Sequence, residues 1–269
     1  MTMPVETVGL IGVIAMFVLM AMRIPVAISM AVPAIIGIYH IRGWDALSTS
    51  LFTISWSHST SYTLVTIPMF VLMGQFLYMS GISGELFDMF RKWTGALRGG
   101  LSIATIGASA IFAAASGSSL ANTGTMGVIA SREMIRAGYD KSLSAGSIIA
   151  GGTLGILIPP STAFVIYGIL TESSIGKLLL AGIIPGVILS LLYMLTVYIS
   201  VLFRPKLAPP VEAFGWKEKF LSVRSVFWVL VLFILVIGGM YAGLFSPTEA
   251  SGIGAAGAFF VALLRRKIT

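Results

Sequence analysis

Polar residues are sparse along this chain of 269 residues and fall in clusters, so the apolar runs between them can be delimited one by one. Residues 8–22 are almost unbroken apolar and, with flanks at Glu6 and Arg23, reach the ~20 residues that a helix needs to cross a bilayer. After the Arg23-Ile24-Pro25 punctuation a second run extends to residue 41, with Pro33 as a kink that a membrane helix tolerates. Residues 43–61 mix Trp44, Trp56 and His58 with serines and threonines, the composition of an interfacial segment, and residues 62–79 make a third span.

The pattern then changes. Over residues 81–100, Leu86, Met89, Phe90 and Trp93 recur at helical spacing while Glu85, Asp88, Arg91 and Lys92 take the other faces, which predicts an amphipathic helix along the membrane surface. Residues 101–115 are an apolar run too short for a comfortable span. A hydroxylic tip and a second short run follow, ending near Arg132 and Arg136. Two half-length helices around a polar turn predict a re-entrant hairpin over 101–137 that enters and leaves on one side. Residues 142–171 predict a broken helix, interrupted by Gly151-Gly152, Gly155 and Pro159-Pro160. Residues 178–203 span with Pro185 near their start, 204–224 form a polar linker loop, and 226–244 and 252–264 are the last apolar runs.

Composition sets the class. Hydrophobic residues make up 57% of the chain, charged residues only 10%, and the mean hydropathy is +0.98, which points to an all-α polytopic membrane protein of about seven spanning helices plus the hairpin. The lack of cysteine excludes disulfides and thiolate chemistry, and His40 and His58, beside polar residues at segment edges, are too few for a zinc site or a catalytic triad. Glu6 in place of a basic start, and the absence of a small-residue cleavage site, read the first run as a retained helix rather than a signal peptide.

The net charge of +7 forms no basic stripe of the kind that binds nucleic acid. It reports topology. With the amino terminus outside, all of the 17 lysines and arginines except Arg42 and Lys177 fall on the cytoplasmic side, the positive-inside distribution. That distribution holds only if residues 101–135 make no net crossing, so charge supports the hairpin independently of length.

Candidate chemistry concentrates at residues 116–123. Ser116, Ser118, Ser119, Asn122 and Thr123 offer hydroxyl, amide and carbonyl oxygens without formal charge, hard ligands suited to Na⁺. The element at 151–162, with Gly152, Pro159 and Ser161, is a second candidate that could face the tip and complete a coordination shell. Ser246-Pro247-Thr248-Glu249 is a third, weaker one, where Glu249 reads as a helix-start residue rather than a proton carrier. No acid–base pair lies at membrane depth, which argues against an enzyme, and no arginine lies there to clamp a carboxylate.

Four stretches carry a specific likeness: 114–127 (AASGSSLANTGTMG), 131–134 (SREM), 151–161 (GGTLGILIPPS) and 246–250 (SPTEA). In order and spacing, from the first helix to the last, the chain resembles the large membrane subunit of the TRAP transporters, the tripartite ATP-independent periplasmic systems. The resemblance implies Na⁺-coupled uptake of organic anions such as dicarboxylates, sialic acids or keto acids across the bacterial inner membrane, with no cofactor beyond the coupling ion. It implies as partners a periplasmic substrate-binding protein and a small four-helix membrane subunit in the same lipid bilayer.

The implied architecture is of the elevator type, with residues 1–80 as scaffold, 81–100 as an arm helix, 101–172 as transport domain and 173–269 as further spanning helices. In it, Ser116, Ser118, Ser119, Asn122, Thr123, Gly152, Pro159 and Ser161 hold sodium. Ser119, Asn122, Thr123 and Gly124 line the substrate cavity, and the helix beginning after Thr123 aims its amino-terminal dipole at the anion. Family members are inverted repeats and longer. Only one repeat is expected here, so the chain would be a fragment, a truncated product, or one of two polypeptides of which the other carries the second half. The alternative reading is a half-permease that serves as an assembly scaffold and transports nothing alone.

Overall fold

The computed structural model describes residues 4–209 and 213–265, and it divides into two units, residues 1–61 and 62–269. In the first, α1 (Val5–Ala21) is followed by α2 (Val26–Ser59), and Gly37 faces Val8, so α2 returns along α1. No residue of α1 is buried although nearly all are apolar, the signature of a helix whose solvent is lipid. Gly43, at φ 78° and ψ −177°, interrupts α2. Residues 44–59, read from sequence as an interfacial segment, are therefore a helix set off from the spanning part by this one residue. The basic residues Arg266 and Lys267, assigned to the cytoplasmic side, lie outside the described residues, as does the side chain of His58.

The second unit begins with a 3₁₀ turn, Tyr62–Val65, leading into α3 (Thr66–Met79) and α4 (Ile82–Thr94). The hairpin is α5 (Gly100–Ser116) and α6 (Ser119–Arg136); the broken helix is α7 (Lys141–Leu157) and α8 (Thr162–Leu170), bent by 40°. Then come α9 (Ile175–Phe203), α10 (Trp216–Tyr241) and α11 (Pro247–Leu264). Among the described residues five helices are long and apolar enough to cross a membrane, six if the bent pair is one span. Adding α1, whose 17 residues reach about 25 Å at 1.5 Å per residue, gives the seven expected.

The core of this unit is α5, of which Ala104, Ile106, Ala108 and Ala113 are wholly buried. It packs against α3, α4, α6, α7 and α9. Small residues make this possible: Phe90 of α4 rests on Gly107, where a Cβ would come within 2.5 Å of the ring. The apolar stripe of α4 therefore lies against protein, with Ile82 and Leu86 fully buried, rather than against lipid headgroups as its amphipathic pattern suggested. The helix also stops at Thr94, six residues short of the stretch read as its extent.

Four other expectations are corrected. The hairpin arms have 17 and 18 residues, about 25 and 27 Å, not half a span. The hydroxylic run is mostly the last turn of α5 and the first turns of α6, so the unwound tip is only Gly117 and Ser118. And α7 continues unbroken through Gly151, Gly152 and Gly155; the interruption is made by the prolines alone, with Ile158 extended and Pro159-Pro160 outside any helix. The linker loop is likewise shorter than 204–224, because Trp216 to Arg224 already belong to α10, started by a Gly215 N–H that donates to the Glu218 carboxylate at 3.3 Å.

One end of this unit gathers the residues assigned to the cytoplasm. Arg91 of α4 pairs with Glu133 of α6 at 3.1 Å, Arg265 of α11 with Glu85, and the Trp93 indole N–H donates to Lys219 O at 3.1 Å. The Asp140 N–H donates to Leu207 O at 2.9 Å. Both feet of the hairpin stand here too, for the Leu101 N–H at the start of α5 donates to the Tyr139 hydroxyl just past α6, at 3.2 Å. Lys177 lies in the first turn of α9, beside Gly176, which packs near Pro247 at the start of α11.

Candidate functional site

The tip of the hairpin is built by two residues with special backbone needs. Gly117 ends α5 in the left-handed region at φ 59°, and a Cβ on it would lie only 2.8 Å from Pro160 O. Ser118 is extended and caps α6, its hydroxyl accepting from the Ala121 N–H at 3.4 Å. The helix of the second arm thus begins at Ser119, five residues earlier than the resemblance implied, and its free amides belong to that first turn.

The tip docks on the break in α7–α8. Gly117 O accepts from both the Thr162 hydroxyl, at 3.1 Å, and the Thr162 N–H, at 3.4 Å. Three of the four glycines of α7 then meet the hairpin in register: Gly155 beneath Ser118 and Ser119 of α6, Gly152 beneath Thr123, and Gly151 beside Ser109 of α5. Positions 151, 152 and 155 share one helical face, so these glycines form a groove for the hairpin rather than a weakness in the helix.

Inside this contact sits Asn122, fully buried. Its Nδ2 donates to Ser109 O at 3.0 Å and to Gly151 O at 3.3 Å. Two carbonyls in front of the nitrogen fix the amide's orientation, since the flipped form would set oxygen against oxygen. Asn122 Oδ1 and Ser109 Oγ are both buried with no hydrogen-bond partner. Such orphaned acceptors cost ~1–3 kcal/mol each in a folded interior, and uncharged oxygens without donors are what a small hard cation uses.

The remaining residues named from sequence divide into two groups. Ser119 and Thr123 stay with Asn122: the Thr123 hydroxyl donates to Ser119 O at 2.8 Å, above Gly152. Ser161 and Pro159 are buried at the break, but the Ser161 hydroxyl is engaged, donating to Ile156 O at 2.6 Å. Ser116, Ser118 and Gly124 face another way. With Thr125, Phe112, and Val71, Gln75 and Tyr78 of α3 they line a cleft of about 400 Å³ beside the tip. Ser109, Gln75 and Tyr78 were not singled out from sequence. Ser109 carries no local signal, because its role comes from Asn122 thirteen residues on; Gln75 does, being an amide in the middle of an apolar run. Glu249 is a helix-start residue: its carboxylate accepts from the Ser246 N–H at 2.8 Å while the Ser246 hydroxyl accepts from the Glu249 N–H at 3.3 Å.

Residues 13–269 match the family described as the tripartite ATP-independent periplasmic transporter, DctM component. The chain is 43% identical over 205 residues to a C4-dicarboxylate TRAP transporter large permease protein of Pseudomonas aeruginosa, covering 76% of this chain and 48% of that one. It is 33% identical over 241 residues to an ectoine TRAP transporter large permease protein of Halomonas elongata, covering 90% and 56%. To a sialic acid TRAP transporter permease protein of Haemophilus influenzae it is 32% identical over 247 residues, covering 91% and 39%. The chain spans about half the length of the relatives it matches.

Proposed function

This chain belongs to the DctM-component family of tripartite ATP-independent periplasmic transporters, and on that premise we propose that it supplies one half of the ion and substrate path of a Na⁺-coupled importer of organic anions. It is a polytopic inner-membrane protein, and its relatives are transport permeases rather than enzymes. Dicarboxylates, sialic acids and keto acids are the substrate classes we propose. A periplasmic binding protein delivers the substrate, a small four-helix subunit braces the permease, and a second half, on the same or another polypeptide, faces the hairpin.

The observation that carries this reading is the Asn122 amide. Its two N–H bonds to Ser109 O and Gly151 O hold it rigidly, and its Oδ1, with Ser109 Oγ, remains buried and unpartnered. A Na⁺ ion bound by these oxygens, with Thr123 and Gly152 next in the chain to Asn122 and Gly151 and packed on each other, would satisfy both acceptors at once and tie α5, α6 and α7 together. Ion binding would thereby stiffen the tip that borders the cleft, and Ser116, Ser118 and Gly124 would meet the anion on the other side of the same two-residue turn. That coupling needs no residue to move a proton, in keeping with the uncharged composition of the tip.

The test is Na⁺-driven uptake in proteoliposomes containing the complete permease, its small subunit and its binding protein. Asn122→Ala and Ser119→Ala each abolish Na⁺-dependent uptake while the protein still inserts in the membrane; uptake undiminished in both variants, with the same sodium dependence, refutes the assignment. The companion reading, a scaffold that transports nothing, predicts no uptake from any preparation that holds this chain and the complementary half.

A further inference from the structure

We infer that Gln75 of α3 is a substrate-contacting residue, donating its amide N–H to a carboxylate of the transported anion in the cleft beside the hairpin tip. The inference rests on the carboxylate-importer reading above and adds to it a wall that the hairpin and the broken helix do not provide.

Three observations converge on Gln75. It is the one amide or charged side chain in α3, a helix otherwise apolar apart from Thr66 at its start and Tyr78. An amide in a spanning helix is costly against lipid and marks a substrate or ion path by default. Second, the residue before it sets its position. A Cβ at Gly74 would lie 2.8 Å from Ala115 O and 2.9 Å from the Ser116 Cα, so α3 meets the end of α5 backbone to backbone there, and Gln75 is delivered to the side of the tip. Third, it lines the cleft of about 400 Å³ together with Tyr78, Ser116, Ser118 and Thr125, while among the described residues no hydrogen bond engages its side chain.

The chemistry of that lining selects the ligand. Its polar members, one amide and four hydroxyls, can all donate hydrogen bonds, and among the described residues that line the cleft none carries a charge. A carboxylate accepts from such donors, and bonds to a charged acceptor are about twice as strong as neutral ones. The volume lies at the small end of ligand pockets, which suits a small organic acid. Val71, Gly74 and Phe112 supply the apolar floor for its carbon chain. The orphaned acceptors Asn122 Oδ1 and Ser109 Oγ lie in a different contact, between α5, α6 and α7, so Gln75 is assigned to the anion and not to the ion.

The experiment separates the two. In proteoliposomes with the complete transporter, succinate, N-acetylneuraminate and pyruvate are tried as probes and the one taken up fastest is used. Gln75→Glu and Gln75→Leu raise KM for that anion by about tenfold or more, and Gln75→Asn restores part of the affinity, as expected for loss of one bond to a charged group, while the sodium concentration for half-maximal uptake stays unchanged. An unchanged KM in Gln75→Glu overturns the inference, and so does a sodium requirement that shifts with it. The chain has no cysteine, which allows a second measurement that needs no turnover: maleimide labelling of Gln75→Cys is slowed by the anion, and labelling of Leu72→Cys, on α3 but outside the cleft, is not. If the wild type shows no sodium-driven uptake, the importer reading fails by itself; protection of Gln75→Cys by one of the three anions then still upholds the contact, and its absence with all three overturns it.

Discussion

The hydroxyl of Thr123 fills the space that a Cβ on Gly152 would need, so α6 can lie this close to α7 only with glycine at position 152. Gly152→Ala must push the arm away from the broken helix or force Thr123 off its bond to Ser119 O. Overpacking of this kind costs ~1–3 kcal/mol. We expect a lowered melting temperature for the detergent-purified protein and loss of sodium-driven uptake. Thr123→Ala, introduced together with Gly152→Ala, recovers part of the stability, because residues in contact do not act additively. Equal melting temperatures for wild type and Gly152→Ala would contradict the contact.

Gly117 is constrained twice. Its φ of 59° is in the left-handed region, which costs a residue with a side chain ~1–2 kcal/mol, and a Cβ there would meet Pro160 O at 2.8 Å. Gly117→Ala is therefore expected to destabilise the protein more than Gly124→Ala, where a Cβ meets nothing within 4 Å. Thermal unfolding of the two variants side by side decides it. Equal losses would mean that the tip is not seated on the break.

Much of this architecture is legible in the sequence because lipid imposes a simple rule: long apolar runs such as those that became α9 and α10 have to be helices. The hairpin is legible from charge, since the positive-inside distribution requires residues 101–135 to make no net crossing, although its arms are longer than the half-spans the apolar pattern suggests. What is not legible depends on neighbours. The polar run around Ser119 looked unwound, yet Asn122 and Thr123 sit comfortably in helix because their side chains bond to backbone carbonyls close at hand. Gly151, Gly152 and Gly155 looked like breaks, yet the hairpin needs their bare face and its packing outweighs the ~1 kcal/mol each glycine costs a helix. The start of α10 was hidden by Lys217, Glu218 and Lys219, whose charges mask the apolar period. Ser109 could not be found at all, since only the fold brings it to Asn122.

At the foot of the hairpin, Tyr139 takes up an N–H that α5 cannot satisfy itself. Leu101 is in the first turn, where helical N–H groups lack intrahelical partners, and it is buried, so Tyr139→Phe removes its acceptor at a cost of ~1–3 kcal/mol. Burial also pushes the Tyr139 phenol above its ordinary value, opposed in part by the Leu101 bond. The folded state then holds this proton more tightly than the unfolded one. Tyr139's share of stability is thus complete below pH ~10 and is lost as pH rises from there through the folded value. Wild type should therefore lose melting temperature above pH ~10 more steeply than Tyr139→Phe; parallel alkaline profiles would contradict this.

The Arg91–Glu133 pair and the Leu101–Tyr139 bond place both feet of the hairpin at one end of the second unit, which makes a prediction about sidedness. On the cysteine-free background, single cysteines at Arg98, before the hairpin, and Lys141, after it, should react with a membrane-impermeant maleimide from the same side of the bilayer. Lys219→Cys should react from that side as well, since Lys219 meets Trp93 there. Lys177→Cys, in the first turn of α9 where Gly176 packs near Pro247, should react only from the other. The decisive comparison is between Arg98→Cys and Lys141→Cys in oriented vesicles. If they label from opposite faces, the segment from α5 to α6 crosses the membrane once, everything after it is inverted, and the positive-inside distribution of its lysines and arginines is lost.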